Sequence, residues 1–99
     1  MKLLIQPGSP LSGTITPPPD KSISHRSLLL NALAGGRARI DNLLDSDDVR
    51  STMRCLELLG VQLRKTVGGV ELHSAGLHPP SEALDCGNSG TTMRLLLGL

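Results

Sequence analysis

At 99 residues, with ten Lys and Arg against nine Asp and Glu and no Phe, Tyr or Trp, the chain is the size of one small domain. Its core must come from Leu, Val, Ile, Met and Ala alone. A net charge of +1, without clustered cations or aromatic stacking platforms, excludes a nucleic-acid-binding face, and two cysteines outside any CxxC spacing exclude a disulfide framework or a zinc site.

Residues 2–6 read as a short strand, and Pro7, Gly8, Ser9 and Pro10 as a turn. Residues 11–16 alternate apolar and small polar side chains as a half-buried strand does. The opening run is too short for a signal peptide or a membrane span, and cytoplasm is the expected compartment. Pro17, Pro18 and Pro19 then hold the chain extended, because each fixes φ and lacks an N–H.

From Ser24 to Leu33 the residues Leu28, Leu29, Ala32 and Leu33 recur at helical spacing, and Gly35 and Gly36 supply a stop. A brief strand is expected at residues 38–40. Ser46, Asp47 and Asp48 offer a cap and acidic first-turn groups for a helix reaching Leu59, with Val49, Met53 and Leu56 as its stripe and Gly60 as its end. Residues 61–66 and 70–73 alternate on either side of Gly68 and Gly69 and predict a hairpin. Residues 83–86 read as a new strand and Ser89 onward as a new helix, so the unit restarts. The apolar run at residues 92–99 has no cap or polar tail, which reads as a chain cut inside a larger protein.

Chemistry concentrates in two turns. Asp20, Lys21, Ser22, Ile23, Ser24, His25 and Arg26 place two cations, two hydroxyls and an imidazole where the proline run gives way to a helix. Unpaired first-turn amides and the helix dipole favour an anion there, Lys21 and Ser22 reach it from the start, and Arg26 can offer two parallel N–H groups about one turn along. The same residues are also compatible with an ordinary Asp20 or Ser22 cap flanked by solvated charges; the absence of any acidic residue from Lys21 to Gly36 favours the anion. His25 is open between binding, orienting a neighbour and packing as a neutral ring. The second turn, Gly87, Asn88, Ser89, Gly90, Thr91 and Thr92, has glycines that admit close backbone approach and polar groups at a helix start, but not the spacing of a Walker loop or GxGxxG. A simple capped turn explains it equally. Asp41, Asp45, Asp47 and Asp48 do not match a calcium loop, and no metal or cofactor is expected.

Three separated stretches, DKSISHR with Leu11-Ser12-Gly13 before it and Ala32 to Gly36 after it, LLDSDDV at Leu43 to Val49, and LDCGNSGTTMR at Leu84 to Arg94, closely resemble the 5-enolpyruvylshikimate-3-phosphate synthase family. The resemblance implies an α/β fold, an inside-out α/β barrel built from βαβαββ units, of which the first alone is complete here. Residues 1–16 would then belong to the carboxy-terminal domain, 17–19 would cross the hinge, 20–82 would form the first unit and 83–99 would begin the second.

The family transfers the enolpyruvyl group of phosphoenolpyruvate to the 5-hydroxyl of shikimate 3-phosphate and releases phosphate, a step in aromatic amino acid biosynthesis. Carried over by position, Lys21 would act catalytically and touch both substrates, Ser22 and Arg26 would hold shikimate 3-phosphate, and Asn88, Gly90 and Thr91 would line the phosphoenolpyruvate side. Ser89 and Pro19 stand where relatives often have alanine and glycine. The family's Asp base, its Lys acid partner and several arginines come from chain beyond Leu99, so the isolated piece is expected to be inactive. The full protein is expected to be a monomer, and the piece to self-associate through exposed Leu-rich faces. Two other readings stand beside this one: the sister enolpyruvyltransferase acting on UDP-N-acetylglucosamine, and a non-catalytic module that binds small anions.

Overall fold

The computed structural model describes residues 2–99. Its first element begins at Asp20, whose extended backbone and carboxylate, accepting the Ile23 N–H at 2.8 Å, start helix α1 at Lys21–Ala34. The helix therefore opens three residues before the apolar spacing does. It closes at Gly35, where φ of 77° suits a residue without Cβ and the N–H returns to the Asn31 carbonyl. Strand β1, Gly36–Asp41, follows. Ser46 then caps helix α2, Asp47–Leu58, by accepting the Val49 N–H, with Asp47 and Asp48 facing the positive end of the helix dipole. Strands β2, Gln62–Thr66, and β3, Gly69–Ser74, form the expected hairpin around Gly68 at φ 73°. A last helix, α3, Gly90–Leu96, is capped by Ser89.

The three strands form one antiparallel sheet in the order β1-β3-β2. Register decides which side chains are inside. Val70 and Leu72 on β3 are buried, and their antiparallel partners Ile40 and Ala38 on β1 and Leu63 on β2 lie on the same face. That face receives Leu28, Leu29 and Ala32 from α1 and Val49, Met53 and Leu56 from α2. Each fully buried Leu is worth about 1.5–3 kcal/mol relative to exposure, and this aliphatic layer is where the two helices and the sheet meet. Ser74 adds a buried bond from its hydroxyl to the Ala32 carbonyl at 2.7 Å, which ties the end of β3 to α1. The other face carries Arg37, Arg39 and Arg64 beside Glu71 and His73, with Arg64 paired to Glu71.

The strands expected at residues 2–6, 11–16 and 83–86 are not formed. Alternation marks a segment able to lie half-buried, but a strand exists only where a neighbour supplies the ladder, and none of these segments joins the sheet. Residues 2–20 are exposed along their whole length, Leu3, Leu4, Ile5, Leu11 and Ile15 included. One hydrogen bond, from Asn42 Nδ2 to the Pro17 carbonyl at 3.0 Å, holds the proline run against the end of β1. Among the described residues no helix is long and apolar enough to cross a membrane.

Gly69 shows how tightly β1 and β3 approach: a Cβ there would be driven into the Ile40 carbonyl. Gly69→Ala is therefore expected to destabilise the fold by roughly 1–3 kcal/mol. Gly68→Ala meets open space and only left-handed strain, and should cost about 1 kcal/mol. Urea midpoints of the two variants measure the difference, and equal midpoints would refute the close approach.

Candidate functional site

Helix α1 sorts its first residues by angle. At about 100° per residue, Lys21 and His25 lie on one face, Ser22 and Arg26 on the next, and Lys21 and Arg26 are separated by about 140° around the axis. The structure follows this division. Lys21 leans toward α2, where Nζ is 3.2 Å from Asp48 Oδ2. Ser22 and Arg26 are exposed, and among the described residues Arg26 forms no ion pair.

Two details change the picture drawn from sequence. Lys21 is neutralised after all, by an acid 27 positions away rather than one on its own helix. Asp20 is the cap, so its carboxylate already occupies part of the dipole-favoured position at the helix start. An incoming oxyanion would thus depend on the side chains of Lys21, Ser22 and Arg26 more than on the dipole. The Lys21–Asp48 pair is 49% and 32% exposed, and pairs so placed contribute about 0–1 kcal/mol. A charge-assisted hydrogen bond to phosphate contributes about 1.5–3 kcal/mol, so a doubly charged oxyanion can take Lys21 from Asp48.

In the second turn, Asp85 Oδ1 accepts the Gly87 N–H at 2.8 Å, the Ser89 N–H reaches the Cys86 carbonyl at 3.1 Å, and Ser89 Oγ accepts the Thr92 N–H at 3.1 Å. Gly87 needs its freedom, with φ at 58° and Ser51 Oγ in the way of any Cβ. Gly90 has neither constraint: its φ is ordinary and a Cβ would meet nothing within 4 Å. Asn88 is exposed and Thr91 half-buried.

The first half of α2 stands between the turns. Asp48 gives its carboxylate to Lys21 and its carbonyl to the Thr92 hydroxyl, at 3.3 Å. Deeper in, His25 Nδ1 lies 2.8 Å from Thr52 Oγ1, Thr52 Oγ1 lies 2.8 Å from Thr92 Oγ1, and Thr92 Oγ1 lies 2.7 Å from Ser89 Oγ. His25, Thr52 and Thr92 are fully buried and Ser89 nearly so. Of the roles left open for His25, the ring binds no surface group here; it is packed and directed at Thr52. Burial lowers its pKa from 6.5, Asp48 opposes that shift and Lys21 adds to it, so the ring is neutral.

Sequence reasoning placed Thr92 in the second polar turn but missed this column, because nothing drew attention to Thr52 or to the meeting of the two hydroxyls with His25. The one available signal was a β-branched hydroxyl residue, Thr52, in the interior of α2. It also missed that the two cysteines are neighbours. Cys55 is buried, its thiol directed at the Asp85 carbonyl at 3.5 Å. Its pKa is raised to about 11 by burial and by Cys86 alongside. The four aspartates between residues 41 and 48 have basic partners: Asp41 with Arg39, Asp45 and Asp47 with Arg50, and Asp48 with Lys21. Among the described residues no group of three His, Cys, Asp or Glu could hold a metal. A hollow of about 630 Å³ lies on the outer face of the sheet around Arg37, Arg39, Arg64 and His73 and shares no residue with either turn.

A family model described as EPSP synthase (3-phosphoshikimate 1-carboxyvinyltransferase) matches residues 5–99. The 3-phosphoshikimate 1-carboxyvinyltransferase of Salinibacter ruber is 54% identical over 99 residues, which cover 96% of this chain and 23% of that protein. That of Parasynechococcus marenigrum is 52% identical over 102 residues, with the same two shares. A solved EPSP synthase from Acinetobacter baumannii superposes with a TM-score of 0.77 at 40% identity, covering 87% of this chain and 20% of that one. The chain spans less than a quarter of the length of these relatives.

The lowered pKa of His25 makes stability depend on pH. Below 6.5 the unfolded chain takes up a proton that the native ring resists, so the unfolded state binds more protons and stability falls as pH drops from 6.5 toward the native value. The melting temperature should therefore decline between about pH 7.5 and 5.5, and less steeply in His25→Asn. Parallel curves for the two proteins would contradict this assignment.

Proposed function

The chain belongs to the EPSP synthase family, and from that premise we propose that the full-length protein transfers the enolpyruvyl group of phosphoenolpyruvate to the 5-hydroxyl of shikimate 3-phosphate. The hydroxyl adds to C2 of phosphoenolpyruvate as C3 takes a proton, giving a tetrahedral intermediate. Loss of phosphate from C2 and of a proton from C3 then restores the double bond. Both substrates are anions, so the chain's task is to hold charge in place while those two proton transfers occur.

In this reading Lys21 lies between the two substrates and acts on the reacting groups, while Ser22 and Arg26 bind the phosphate of shikimate 3-phosphate from their shared face of α1. Asn88, Gly90 and Thr91 border phosphoenolpyruvate. The observation that carries the proposal is the meeting of both turns on Asp48, whose carboxylate holds Lys21 and whose carbonyl receives Thr92. That junction places a weakly held cation beside the second polar turn. Gly90 gives independent support, because neither its backbone angle nor its packing requires glycine, and a ligand passing close to the backbone would. The hinge at residues 17–19, the assignment of residues 1–16 to a second domain, a cytoplasmic location and a monomeric full-length protein belong to the same proposal.

Steady-state release of phosphate by the full-length protein, with both substrates varied, tests it. Arg26→Ala should raise the KM for shikimate 3-phosphate roughly ten- to hundredfold, the equivalent of one charge-assisted bond. Lys21→Met should lower kcat as well. Wild-type affinity in both variants would remove the assigned site. The 99-residue chain alone is expected to give no turnover under the same conditions, and measurable catalysis by it would show that the rest of the protein supplies nothing essential.

A further inference from the structure

The ring of His25 has one nitrogen engaged and one not. Nδ1 meets Thr52 Oγ1, whereas Nε2 is buried with no partner. A buried N–H left unpaired is rarer and more costly than a bare acceptor lone pair, so the single proton of the neutral ring sits on Nδ1 and is donated to Thr52. Direction then propagates. Thr52 Oγ1 receives that proton, and its own goes to its other partner, Thr92 Oγ1. Thr92 passes its proton to the Asp48 carbonyl or to Ser89 Oγ, while Ser89 Oγ accepts the Thr92 amide. Hydrogen bonds aligned head to tail in a dry interior reinforce one another, and each buried member is costly to leave unpaired.

This column ends on α3. Among the described residues Thr92 is the buried one of α3, and Leu96 packs partly against the core. Hydroxyls thus tie the second turn to α2, and the far end of that series is the ring of His25, one helical turn beyond Lys21 on the same face of α1.

We infer that His25 is a positioning residue that fixes the turn bearing Asn88, Gly90 and Thr91 relative to the turn bearing Lys21, Ser22 and Arg26, through Thr52, Thr92 and Ser89. The inference rests on the proposed function for the identity of the two substrates, but not for the geometry. Its effect falls on one substrate: loosening the column frees α3 while leaving Ser22 and Arg26 on the rigid body of α1. Phosphoenolpyruvate should be affected and shikimate 3-phosphate spared.

The test uses the full-length enzyme with His25→Leu, Thr92→Val and their combination, which remove the bonds at nearly constant volume, and His25→Asn, which restores an N–H donor at the Nδ1 position. His25→Leu and Thr92→Val should each raise the KM for phosphoenolpyruvate roughly tenfold, about the worth of one buried bond, with the Kd for shikimate 3-phosphate alone unchanged within about twofold. The combination should be no worse than either single change, since both cut one series. His25→Asn should recover most of the loss. Equal losses for both substrates, additive losses in the combination, or no recovery by Asn would each overturn the inference.

Amide exchange at residues 89–94 gives an answer independent of catalysis. His25→Leu should speed it roughly tenfold or more and His25→Asn should restore it. Unchanged exchange sinks the column itself, whereas faster exchange in a protein that fails to turn over these substrates sinks the functional reading and leaves the column standing.

Discussion

The packing of α2 against everything else is the constraint on which the molecule depends. Its apolar stripe, Val49, Met53 and Leu56, lies under the sheet beside the leucines of α1, while Thr52 on the same helix faces His25 and Thr92. One helix therefore does two different things within a single turn. The aliphatic side gives non-directional free energy that tolerates small rotations, and the hydroxyl side does not, because hydrogen bonds weaken steeply with angle. Stability comes mostly from the first and the mutual position of the polar turns from the second.

A core without aromatic residues makes this division consequential. Leucine, valine and methionine fill space through many weak contacts, and a helix can slide over them at modest cost. No large ring here acts as a wedge to fix register, and the imidazole of His25, wholly inside and neutral, is the flattest rigid group in the interior. Its single directed bond fixes an angle that the surrounding methyl groups leave soft.

Much of the fold was legible in residue order, since capping, periodicity and turn chemistry act over a few positions. Ser46 with Asp47 and Asp48, Gly35 after α1, and Gly68 between β2 and β3 each fixed an element boundary to within a residue or two. Strand pairing is not local, and residues 2–6, 11–16 and 83–86 alternate correctly yet find no neighbour. The site divided in the same manner. Placing Lys21, Ser22 and Arg26 at the start of a helix needed only nearby residues, and so did placing Asn88, Gly90 and Thr91 around a capped turn. The partner of Lys21, the contact of Cys55 with Cys86 and the route from His25 to Ser89 all cross between elements. Nothing in the order of letters reports such crossings.

The bond from Asn42 to the Pro17 carbonyl bears on how the amino-terminal arm can move. Asn42 itself is held in a left-handed conformation, φ 59°, at the end of β1. Beyond the grip, Pro18 and Pro19 have fixed φ angles and lead straight into the Asp20 cap. The segment between the arm and α1 is therefore braced on the sheet, so that bond rotations upstream of residue 17 are separated from the start of the helix. A force pulling on that arm would load the end of β1 before it disturbed Lys21.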